Sequence, residues 1–520
     1  MLYFKSHKTL RTQCLSQSAA KLSRFNFTVN NLVFQGSAYF IILIFSVFFV
    51  SCSDDISKSK KIGQNAVIYP DYAGITIPCN IAQLNFVVKE PADKYIAVYK
   101  SNGHEMFRVS SGDGIISVPS GKWDDLLKEA KGQDFTVDIY IKNAGSWLKY
   151  NTITNKISTD SIDNYLVYRL IAPGFETWNK MGIYQRNLGT FDETPIMENT
   201  MSGGNCMNCH SFCMNNSNTM LFHMRAENAG TYIYKDGVIE KLDTKTDSTL
   251  GTGVYPSWHP GGKFVAFSTN RIVQTFHAIP DKKIEVLDTL SDVIVYNLQT
   301  HGISTVPAIA SKNRLETFPS WSPDGKSLYF CSAKSRSPKE YKNIRYDLLR
   351  ISFDPEKNSF GSVDTVYKAA ELGKSISFPR ISPDGKYAMF CLSDYGNFSI
   401  WHPESDLYLY NLGTKEITKP EINSEQTESY HTWSSNGRWL VFSSRRLDGL
   451  YTRPYFSHMD NNGIFSKPFI LPQKDPLFYD RFLKSYNIPE LVKSKVNLDP
   501  RIISRELDKK PIKVKFISKF

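Results

Sequence analysis

The residues with the most specific chemistry in this chain are Cys206, Cys209 and His210, which belong to the segment CMNCH at 206–210. The pattern C-x-x-C-H is typical of covalent attachment of a c-type haem. Its spacing allows two thiols to form thioethers with the two vinyl groups of one porphyrin, while the adjacent imidazole reaches the iron. We therefore predict one haem c, attached through Cys206 and Cys209 and ligated by His210.

The second axial ligand of that iron has several candidates nearby, namely Met207, Met214, Met220, His223 and Met224. A methionine ligand would raise the reduction potential. His223 and Met224 fall on one predicted strand, whose adjacent residues face opposite sides, so only one of the two should face the haem. Met224 is the predicted ligand. An open sixth position would instead suit ligand sensing or catalysis.

Two other interpretations of the motif stay open. Cys206, Cys209, His210 and Cys213 could hold zinc, although adjacent residues 209 and 210 are cramped for chelating one tetrahedral ion. An exported C-x-x-C could also be a redox disulfide, but no thioredoxin-like βαβ unit surrounds it. Cys79 and Cys213 could pair, and nothing in the sequence tests this.

Four similar segments downstream define the elements that must position this motif. Their central residues are spaced 52 to 63 residues apart, and each segment combines a strand, a Gly-containing turn and an alternating apolar strand. The segments are YPSWHPGGKFVAFS (255–268), FPSWSPDGKSLYFCS (318–332), FPRISPDGKYAMFCL (378–392) and YHTWSSNGRWLVFSS (430–444). With a further strand pair in each unit, four strands per repeat predict the blades of a β-propeller.

The repeat resembles that of TolB-type (WD40-like) propellers, with S-P-D-G-K at 322–326 and 382–386 as its most specific stretches. The resemblance covers about 210–472 and implies a protein-interaction platform in the cell envelope. A weaker unit at 220–242 places Phe222 where the clear repeats have Phe267, Phe330, Phe390 and Phe442. Residues 453–471 should supply the outer strands of the last clear blade, and a further blade should draw on 165–188. We predict about six blades, within a range of five to seven.

The flanking regions differ from the repeats. Short alternating β segments at 64–160, with one helix-like stretch at 123–131, predict an immunoglobulin-like β-sandwich. The segment 475–492 is predicted to be a short helix capped by Asp475, and residues 493–520 a loosely held basic tail. The fold class is therefore all-β, with a propeller preceded by a sandwich domain.

The amino terminus carries an export signal. The apolar run 38–50 is too short for a comfortable membrane span and follows five basic residues, as in a secretory signal. Ser51-Cys52 at its end resembles a bacterial lipoprotein site, with Cys52 lipidated as the first mature residue. The acidic pair that follows at 54–55 looks like a surface-export tag. We predict an outer-membrane lipoprotein that faces the periplasm or the cell surface.

The net charge of +11 does not indicate nucleic-acid binding. Residues 1–51 contain five basic and no acidic side chains, and residues 491–520 contain nine basic and three acidic ones, whereas the region between them is neutral. A basic nucleic-acid-binding domain is therefore excluded. The expected contacts are a lipid anchor at Cys52 and a protein partner in the envelope; a small-molecule ligand is left unspecified.

The remaining reactive residues have structural interpretations. Cys331 and Cys391 follow the core Phe of successive repeats and should be buried free thiols. Asp324 and Asp384 should form turns. The histidines outside the motif should be structural, and the arginines near the propeller end should lie on a solvated loop; these residues are His259, His402, His431, His458, Arg445, Arg446 and Arg453.

The sequence contains no G-x-S-x-G, no H-E-x-x-H and no phosphate-binding Gly loop, so no catalytic residue is assigned and an enzyme is disfavoured. The predicted organisation is a leader (1–51), a linker (52–63), the sandwich (64–160), a connector bearing the motif (161–217), the propeller (218–472) and a helix with a basic tail (473–520). The leading functional prediction is haem-based electron transfer or sensing with a docked partner. The alternative is a non-redox binding scaffold whose Cys motif is structural.

Overall fold

The structure of the protein is a computed structural model that describes residues 55–172, 180–277 and 284–519. The chain divides into an amino-terminal unit that ends at Ser57 and a compact unit from Lys58 onward. The predicted leader and Cys52 lie outside the described residues. Everything below concerns the second unit. In the described ranges, no helix has the length and apolar character needed to cross a membrane.

The region before residue 160 contains two sheets and one helix. Its strands are β1 (Lys60–Lys61), β2 (Ile68–Tyr69), β3 (Thr76–Ile77), β4 (Phe86–Val88), β5 (Lys94–Ser101), β6 (His104–Ser111), β7 (Ile115–Ile116), β8 (Asp134–Asn143), β9 (Ser146–Lys149) and β10 (Ile153–Ile157). Helix α1 spans Ser120–Glu129 where the sequence predicts one. Trp123 of α1 is fully buried and its indole donates to the carbonyl of Ile81 at 2.9 Å. This bond and the apolar face of α1 fix the helix to the domain.

Seven strands form the larger sheet, with the path β1-β9-β8-β10-β3 and with β5 and β6 on its other branch, while β2, β4 and β7 form the smaller one. The β1–β9 and β10–β3 pairs are parallel. A two-sheet β domain is thus present, and its immunoglobulin-like classification stays a prediction.

Six sheets follow, which we call blades 1 to 6 in chain order. Blade 1 contains β11 (Tyr165–Ile171), β12 (Gly182–Asn187) and β13 (Glu193–Glu198); blade 2 contains β14 (Met207–Phe212), β15 (Thr219–Met224), β16 (Gly230–Lys235) and β17 (Val238–Asp243). Blade 3 contains β18 (Val254–Trp258), β19 (Phe264–Phe276), β20 (Ile284–Asn297) and β21 (Gly302–Thr305). Blade 4 contains β22 (Arg314–Trp321), β23 (Ser327–Lys334), β24 (Asp347–Asp354) and β25 (Ser359–Tyr367). Blade 5 contains β26 (Ser375–Ile381), β27 (Tyr387–Ser393), β28 (Asp406–Asn411) and β29 (Ile417–Thr418); blade 6 contains β30 (Glu428–Trp433), β31 (Trp439–Ser444), β32 (Arg453–His458) and β33 (Phe469–Ile470).

Blade 1 obtains its innermost strand from the carboxyl-terminal region. Strand β34 (Ser485–Val492) pairs antiparallel with β11, which gives the sheet order β13-β12-β11-β34. The innermost strands then contact one another in sequence from β34 through β14, β18, β22, β26 and β30 back to β34. The fold is an all-β propeller of six blades, closed by a strand that follows the last blade in the chain.

This closing strand departs from the sequence-based assignment of 475–492. Only α2 (Phe478–Arg481) is helical, and Asp475 accepts a hydrogen bond from the backbone of Leu477 at 2.9 Å. The second half of the segment extends as β34 because pairing with β11 satisfies its backbone groups and buries Tyr486 and Leu491. The predicted connector 161–217 likewise contains the strands of blade 1 and the inner strand of blade 2.

The basic tail is folded onto the propeller rather than loose. Helix α3 (Pro500–Leu507) begins at Asp499, whose side chain accepts from the backbone of Arg501. Strand β35 (Ile512–Lys513) then extends blade 2 and β36 (Lys515–Lys519) extends blade 3, both in parallel with the outer strands of these blades. The exposed outer edges of blade strands can bind additional strands, and the composition of the tail does not reveal that it pairs with them.

The repeats position the core as predicted. Phe222, Phe267, Phe330, Phe390 and Phe442 occupy the second strand of blades 2 to 6, and all are fully buried. The predicted outer strands of the last clear blade are β32 and β33. The turns also follow the sequence: the side chains of Asp324 and Asp384 accept from Ser322 and Ser382 and from the backbone of Lys326 and Lys386.

One feature of blade 3 has no counterpart in the repeat pattern. Strands β19 and β20 are 13 and 14 residues long, and their paired ends extend beyond the rest of the blade from Arg271 to Phe276 and from Ile284 to Leu290. We call this hairpin extension the arm. Glu285 of the arm bonds Tyr395 at 2.9 Å and His402 at 3.2 Å, and these two residues belong to blade 5. The arm therefore reaches across one end of the propeller.

Candidate functional site

The inner strands share a bulge that places one residue of each blade at the central channel. The register shifts between Asn208 and Ser211 in blade 2, between Thr317 and Ser320 in blade 4, and at matching positions of the other blades. We call the six residues at this point the channel ring: Cys209, Tyr255, Phe318, Phe378, Tyr430 and Ile488. A bulge redirects a side chain, and here it aims all six inward.

Aromatic contacts hold most of the channel ring. The ring centroids of Tyr255 and Phe318, of Phe318 and Phe378, and of Phe378 and Tyr430 are each 4.5 Å apart. Five members of the channel ring, Cys209 and Ile488 included, have φ between 50° and 53°. Positive φ is costly for residues with a Cβ, so the surrounding packing must impose it. The arrangement is therefore a rigid constriction.

Blade 2 fills this position with the C-x-x-C-H motif. Where blades 3, 4 and 5 have an aromatic residue followed by proline, blade 2 has Cys209 followed by His210. The motif thus lies on an inner strand at the centre of the molecule and not in a peripheral loop. An alignment of Cys209-His210 with Phe318-Pro319 would have revealed this position from the sequence.

Cys206 and Cys209 line one large cavity, which we call the funnel. It opens on the arm side of the channel ring and has a volume of about 720 Å³, within the range of small-molecule and cofactor sites. Both cysteines are free thiols, Cys206 half-buried and Cys209 buried. Burial raises the pKa of the Cys209 thiol. The thiols are therefore available to one ligand in one cavity, which is the placement that a double thioether needs.

His210 lies beside the funnel, in the narrow chamber that the channel ring encloses. Its ring is almost fully buried, and neither nitrogen has a hydrogen-bond partner with acceptable geometry. Burial first, and then the charge of Arg169, lower the pKa of His210 to about 3. The imidazole is therefore neutral with a free lone pair, as an iron ligand must be. Two free thiols and a neutral imidazole are the donor types that a c-type haem uses, but only the thiols line the funnel, so His210 would have to reach the iron from the adjoining chamber.

Met224 and His223 both line the funnel, opposite Met207 and Asn208 on the paired strand. Met224 packs in an apolar cluster with Met207. His223 instead bonds Thr231 through Nδ1 at 2.9 Å, and its Nε2 has no partner. Burial lowers the pKa of His223 to about 3, so this imidazole is also neutral. The assignment of Met224 as second axial ligand stays a prediction.

The funnel has a cationic wall that the sequence did not indicate. Arg169, Arg225 and Arg445 line it, and among the described residues no acidic side chain lines it. Arg445 is buried rather than solvated: its guanidinium lies 3.3 Å from the ring centre of Trp401 and donates to the carbonyl of Ile400. The predicted solvated loop was therefore wrong for Arg445, and equally for Arg453, which is fully buried near Tyr479 and Phe482.

The opposite side of the channel ring has a different character. Trp258, Trp321 and Trp433 line that opening together with Glu490 of the closing strand. Glu490 accepts from the backbone of Phe212 at 2.9 Å, and burial raises the pKa of its carboxyl to about 7. This opening therefore carries a buried acid and indole rings, and neither Cys206 nor Cys209 lines it.

The zinc interpretation of the cysteines finds no geometry in the described part of the chain, whereas a reversible disulfide between Cys206 and Cys209 stays an open alternative because both are free thiols. There, no three or more His, Cys, Asp or Glu side chains are grouped as a metal ion requires, and all six described cysteines are free. Cys213 bonds the carbonyl of His259 in blade 3, and Cys79 bonds that of Thr159 in the amino-terminal domain. The sulfurs of Cys79 and Cys213 therefore do not pair in this structure.

The predicted structural roles are confirmed. Cys331 and Cys391 are fully buried free thiols. Each histidine outside the motif that the sequence treats as structural has a hydrogen-bond partner within 3.2 Å; the pairs are His259 with Gly325, His402 with Glu285, His431 with Met389 and His458 with Asp160.

Comparison with known proteins adds little beyond the fold. No family model matches the chain. An uncharacterized protein of Agrobacterium fabrum strain C58, Atu1656, is 24% identical over 177 residues, which are 29% of this chain and 54% of that protein. The chain thus spans about half the length of the curated relative that it matches.

Similar solved structures include the Dos1 propeller, which is 14% identical with a TM-score of 0.32 and covers 52% of this chain and 62% of its own. The Cps50 (Swd1) propeller domain of Myceliophteria thermophila is 10% identical with a TM-score of 0.31 and covers 61% and 91%. At these scores neither likeness carries an argument. The propeller assignment rests on the sheet topology of this chain.

Proposed function

We propose that this protein is an exported, lipid-anchored propeller of the cell envelope that holds one covalent haem c in its funnel. The haem would serve electron transfer or haem-based sensing while the propeller docks a protein partner. The observation that carries the proposal is the position of the C-x-x-C-H motif: two free thiols face one cofactor-sized cavity, and the adjacent imidazole is buried with no hydrogen bond of acceptable geometry at either ring nitrogen.

The chain's own residues have distinct tasks in this proposal. The thiols of Cys206 and Cys209 would hold the haem through two thioethers, each formed by adding S–H across one vinyl group, an addition that needs no oxidant. His210 would supply the imidazole for the iron from the chamber that the channel ring encloses. The bound group supplies a one-electron iron couple. The buried channel ring separates the funnel from the opening at the other end of the central channel.

The decisive experiment is a pyridine haemochrome spectrum of the denatured full chain, expressed in cells that carry a cytochrome c maturation system. We expect one covalent haem per chain. The double variant C206A/C209A should retain none, whereas C213A should retain the wild-type amount because Cys213 contacts blade 3 instead of the funnel. Absence of covalent haem from the wild-type protein would refute the proposal. Thiol titration and metal analysis would then identify a disulfide or a metal site.

Lipid anchoring requires a separate test because Cys52 lies outside the described residues. We expect the wild-type chain to incorporate labelled fatty acid and to fractionate with the outer membrane. The C52S variant should lose the label, and protease treatment of intact cells should show whether the body faces the surface. Labelling of C52S equal to wild type would contradict this part of the proposal.

Partner docking is supported by the arm. Ile272 and Val273 expose 46% and 41% of their surface. These adjacent residues face opposite sides of the strand, Ile272 towards the funnel and Val273 away from it, so Val273 is the exposed apolar residue that a docked partner could contact outside the funnel. Crosslinking in cells from a photoreactive residue at position 273 should capture a specific envelope protein. Capture of the same proteins from position 363, an exposed valine on blade 4, would contradict a specific arm contact.

A further inference from the structure

The three arginines of the funnel differ in how their charge is satisfied. Arg445 is engaged by Trp401 and by two backbone carbonyls, those of Ile400 and Leu450. Arg169 and Arg225 form no ion pair with any carboxylate of the described residues. Arg445 has no ion pair either, but its guanidinium is stacked on Trp401. Arg169 keeps one buried donor, its Nε–H, without a partner, and the side chain of Arg225 is exposed. The cations with donors still open to the funnel are thus Arg169 and Arg225, in a concavity where no described lining residue is acidic, and such a site concentrates anions.

Arg169 is anchored against the haem-attachment strand. Its guanidinium donates to the carbonyl of Met207 at 3.0 Å and to the side chain of Asn487 at 2.9 Å. Its buried Nε–H has no hydrogen-bond partner. An unpaired buried donor is costly, so an acceptor in the funnel would be stabilised there. The anchoring bonds also hold the guanidinium in place before any ligand arrives.

Arg225 lies next to the first thiol. Its backbone N–H donates to the carbonyl of Cys206 at 2.9 Å, and its side chain is exposed on the funnel wall. Arg169 belongs to blade 1 and Arg225 follows the second strand of blade 2, so the two residues reach the funnel from both sides of the motif strand β14. A flat ligand tethered at Cys206 and Cys209 would meet both.

We propose that Arg169 and Arg225 form a carboxylate site, and that they bind the two propionate groups of the haem which Cys206 and Cys209 attach. This inference rests on the proposed function, because it takes the carboxylates from the haem. The same pair would also take a free dicarboxylate of similar size. Charge-assisted bonds from arginine are strong and directional, so the site fixes which edge of the porphyrin faces the open end of the funnel.

The test uses the full wild-type chain purified without haem and two metal-free porphyrins, protoporphyrin IX and its dimethyl ester. The two probes share one ring and differ in whether the propionates are charged. Quenching of tryptophan fluorescence, with Trp401 on the funnel wall, gives their dissociation constants. We expect the free acid to bind roughly tenfold more tightly than the ester, as expected for at least one charged hydrogen bond. Equal binding of the two probes would overturn the inference.

The R225Q variant locates the effect, because the side chain of Arg225 makes no hydrogen bond that folding needs. It should lose most of the preference for the free acid and leave binding of the ester unchanged. R169Q should lose the remainder, and R169K, which keeps the charge, should lose less. The matched control is R501Q, in the exposed first turn of α3, which should bind like wild type. An undiminished preference in R225Q would overturn the assignment.

The outcomes separate this inference from the proposed function. If the wild-type protein carries covalent haem but binds the two porphyrins equally, the haem proposal stands and the proposed carboxylate site is refuted. If the wild-type protein carries no covalent haem but still prefers the free acid, and the preference depends on the arginines, the haem proposal is refuted. The funnel is then a site for a free dicarboxylate. Titration with succinate as competitor then tests that second source directly: displacement of the porphyrin supports it, and failure to displace overturns it.

Discussion

Blade 2 and blade 4 place the same backbone bulge at the same point of the central channel, but fill it with different chemistry. Blade 4 has Phe318 and Pro319, which stack and fix the chain, whereas blade 2 has Cys209 and His210. The positive φ is nearly identical, at 51° and 53°. The propeller therefore uses a strained structural position, already rigid in the other blades, to present a thiol and an imidazole. Rigidity suits a cofactor site, whose ligands must be held in place before binding.

The largest expected effect comes from restoring the repeat in blade 2. The double variant C209Y/H210P gives this blade the aromatic residue and the proline of blade 3. We expect a folded propeller with no haem attached through two thioethers, because one thiol and the iron ligand are removed. Circular dichroism and the haemochrome spectrum measure both properties. C391A, in a buried core strand of blade 5, should keep its full haem content. Unchanged haem in C209Y/H210P would show that the two blades do not differ in this way.

The next comparison is of how much the channel-ring residues of blades 4 and 2 contribute to the free energy of unfolding. F318A removes a ring that contacts both Tyr255 and Phe378 and leaves a cavity in the constriction, so we expect a loss of about 3 kcal/mol in the free energy of unfolding. In the haem-free protein C209A should cost about 1 kcal/mol or less, because a small side chain is lost. Urea denaturation followed by tryptophan fluorescence measures both. Equal costs would mean that the blade 2 position is as structural as the blade 4 position.

Blades 4 and 6 differ two residues before the channel ring, where each has a buried glutamate. Glu428 pairs with Arg446 at 2.9 Å, but Glu316 accepts only from Ser332 and from the backbone of Ser311. Burial raises the pKa of Glu316 to about 8, from 4.5 in the unfolded chain. Between these pH values the folded state binds a proton that the unfolded state has released. The free energy of unfolding should therefore fall as pH rises through this window.

Removing these carboxyl groups should have opposite effects. E316Q should flatten that fall and be more stable than wild type at pH 8 by about 2 kcal/mol, since the buried acid no longer needs a proton. E428Q leaves Arg446 without its carboxylate and should lose about 2 kcal/mol. Denaturation at pH 5 and pH 8 tests both variants. A wild-type stability difference that persists unchanged in E316Q would exclude Glu316 as its source.

The smallest effect changes neither the fold nor the haem content. Both His223 and Met224 line the funnel, but His223 has an unpartnered Nε2 and a Thr231 hydroxyl that fixes its ring, whereas Met224 belongs to an apolar cluster. The structure therefore makes His223 a competitor of Met224, the ligand that the sequence predicts, and on this basis we expect H223L to lose the six-coordinate low-spin spectrum and M224L to retain it. T231V, which removes only the orienting hydroxyl, should shift the spectrum slightly. If M224L instead loses a sulfur-to-iron charge-transfer band, the second axial ligand is Met224, as the sequence predicts.

Much of the fold was predictable because it depends on local patterns. The S-P-D-G turns specify their own geometry, and the alternating strands with a core Phe identify five blades. The first blade escaped full recognition because its inner strand, β34, begins at Ser485, more than 300 residues after its neighbour β11 ends at Ile171. No local signal distinguishes β34 from a short amphipathic helix. Pairing with β11 decides the matter by satisfying backbone groups that are out of reach in sequence.

The sequence alone determined the chemistry of this protein: a paired thiol and imidazole motif, a repeated blade, and an excess of positive charge that lies at the two ends of the chain. Only the tertiary structure decided where that chemistry lies. It brought Cys206, Cys209 and His210 to the central channel, added Arg169 from another blade and turned the basic tail into strands on blades 2 and 3. Spacing along the chain determines which groups can bind one ligand together. Closure of the propeller determines which cavity these groups face, and the closing strand is too distant in sequence for local patterns to reveal it.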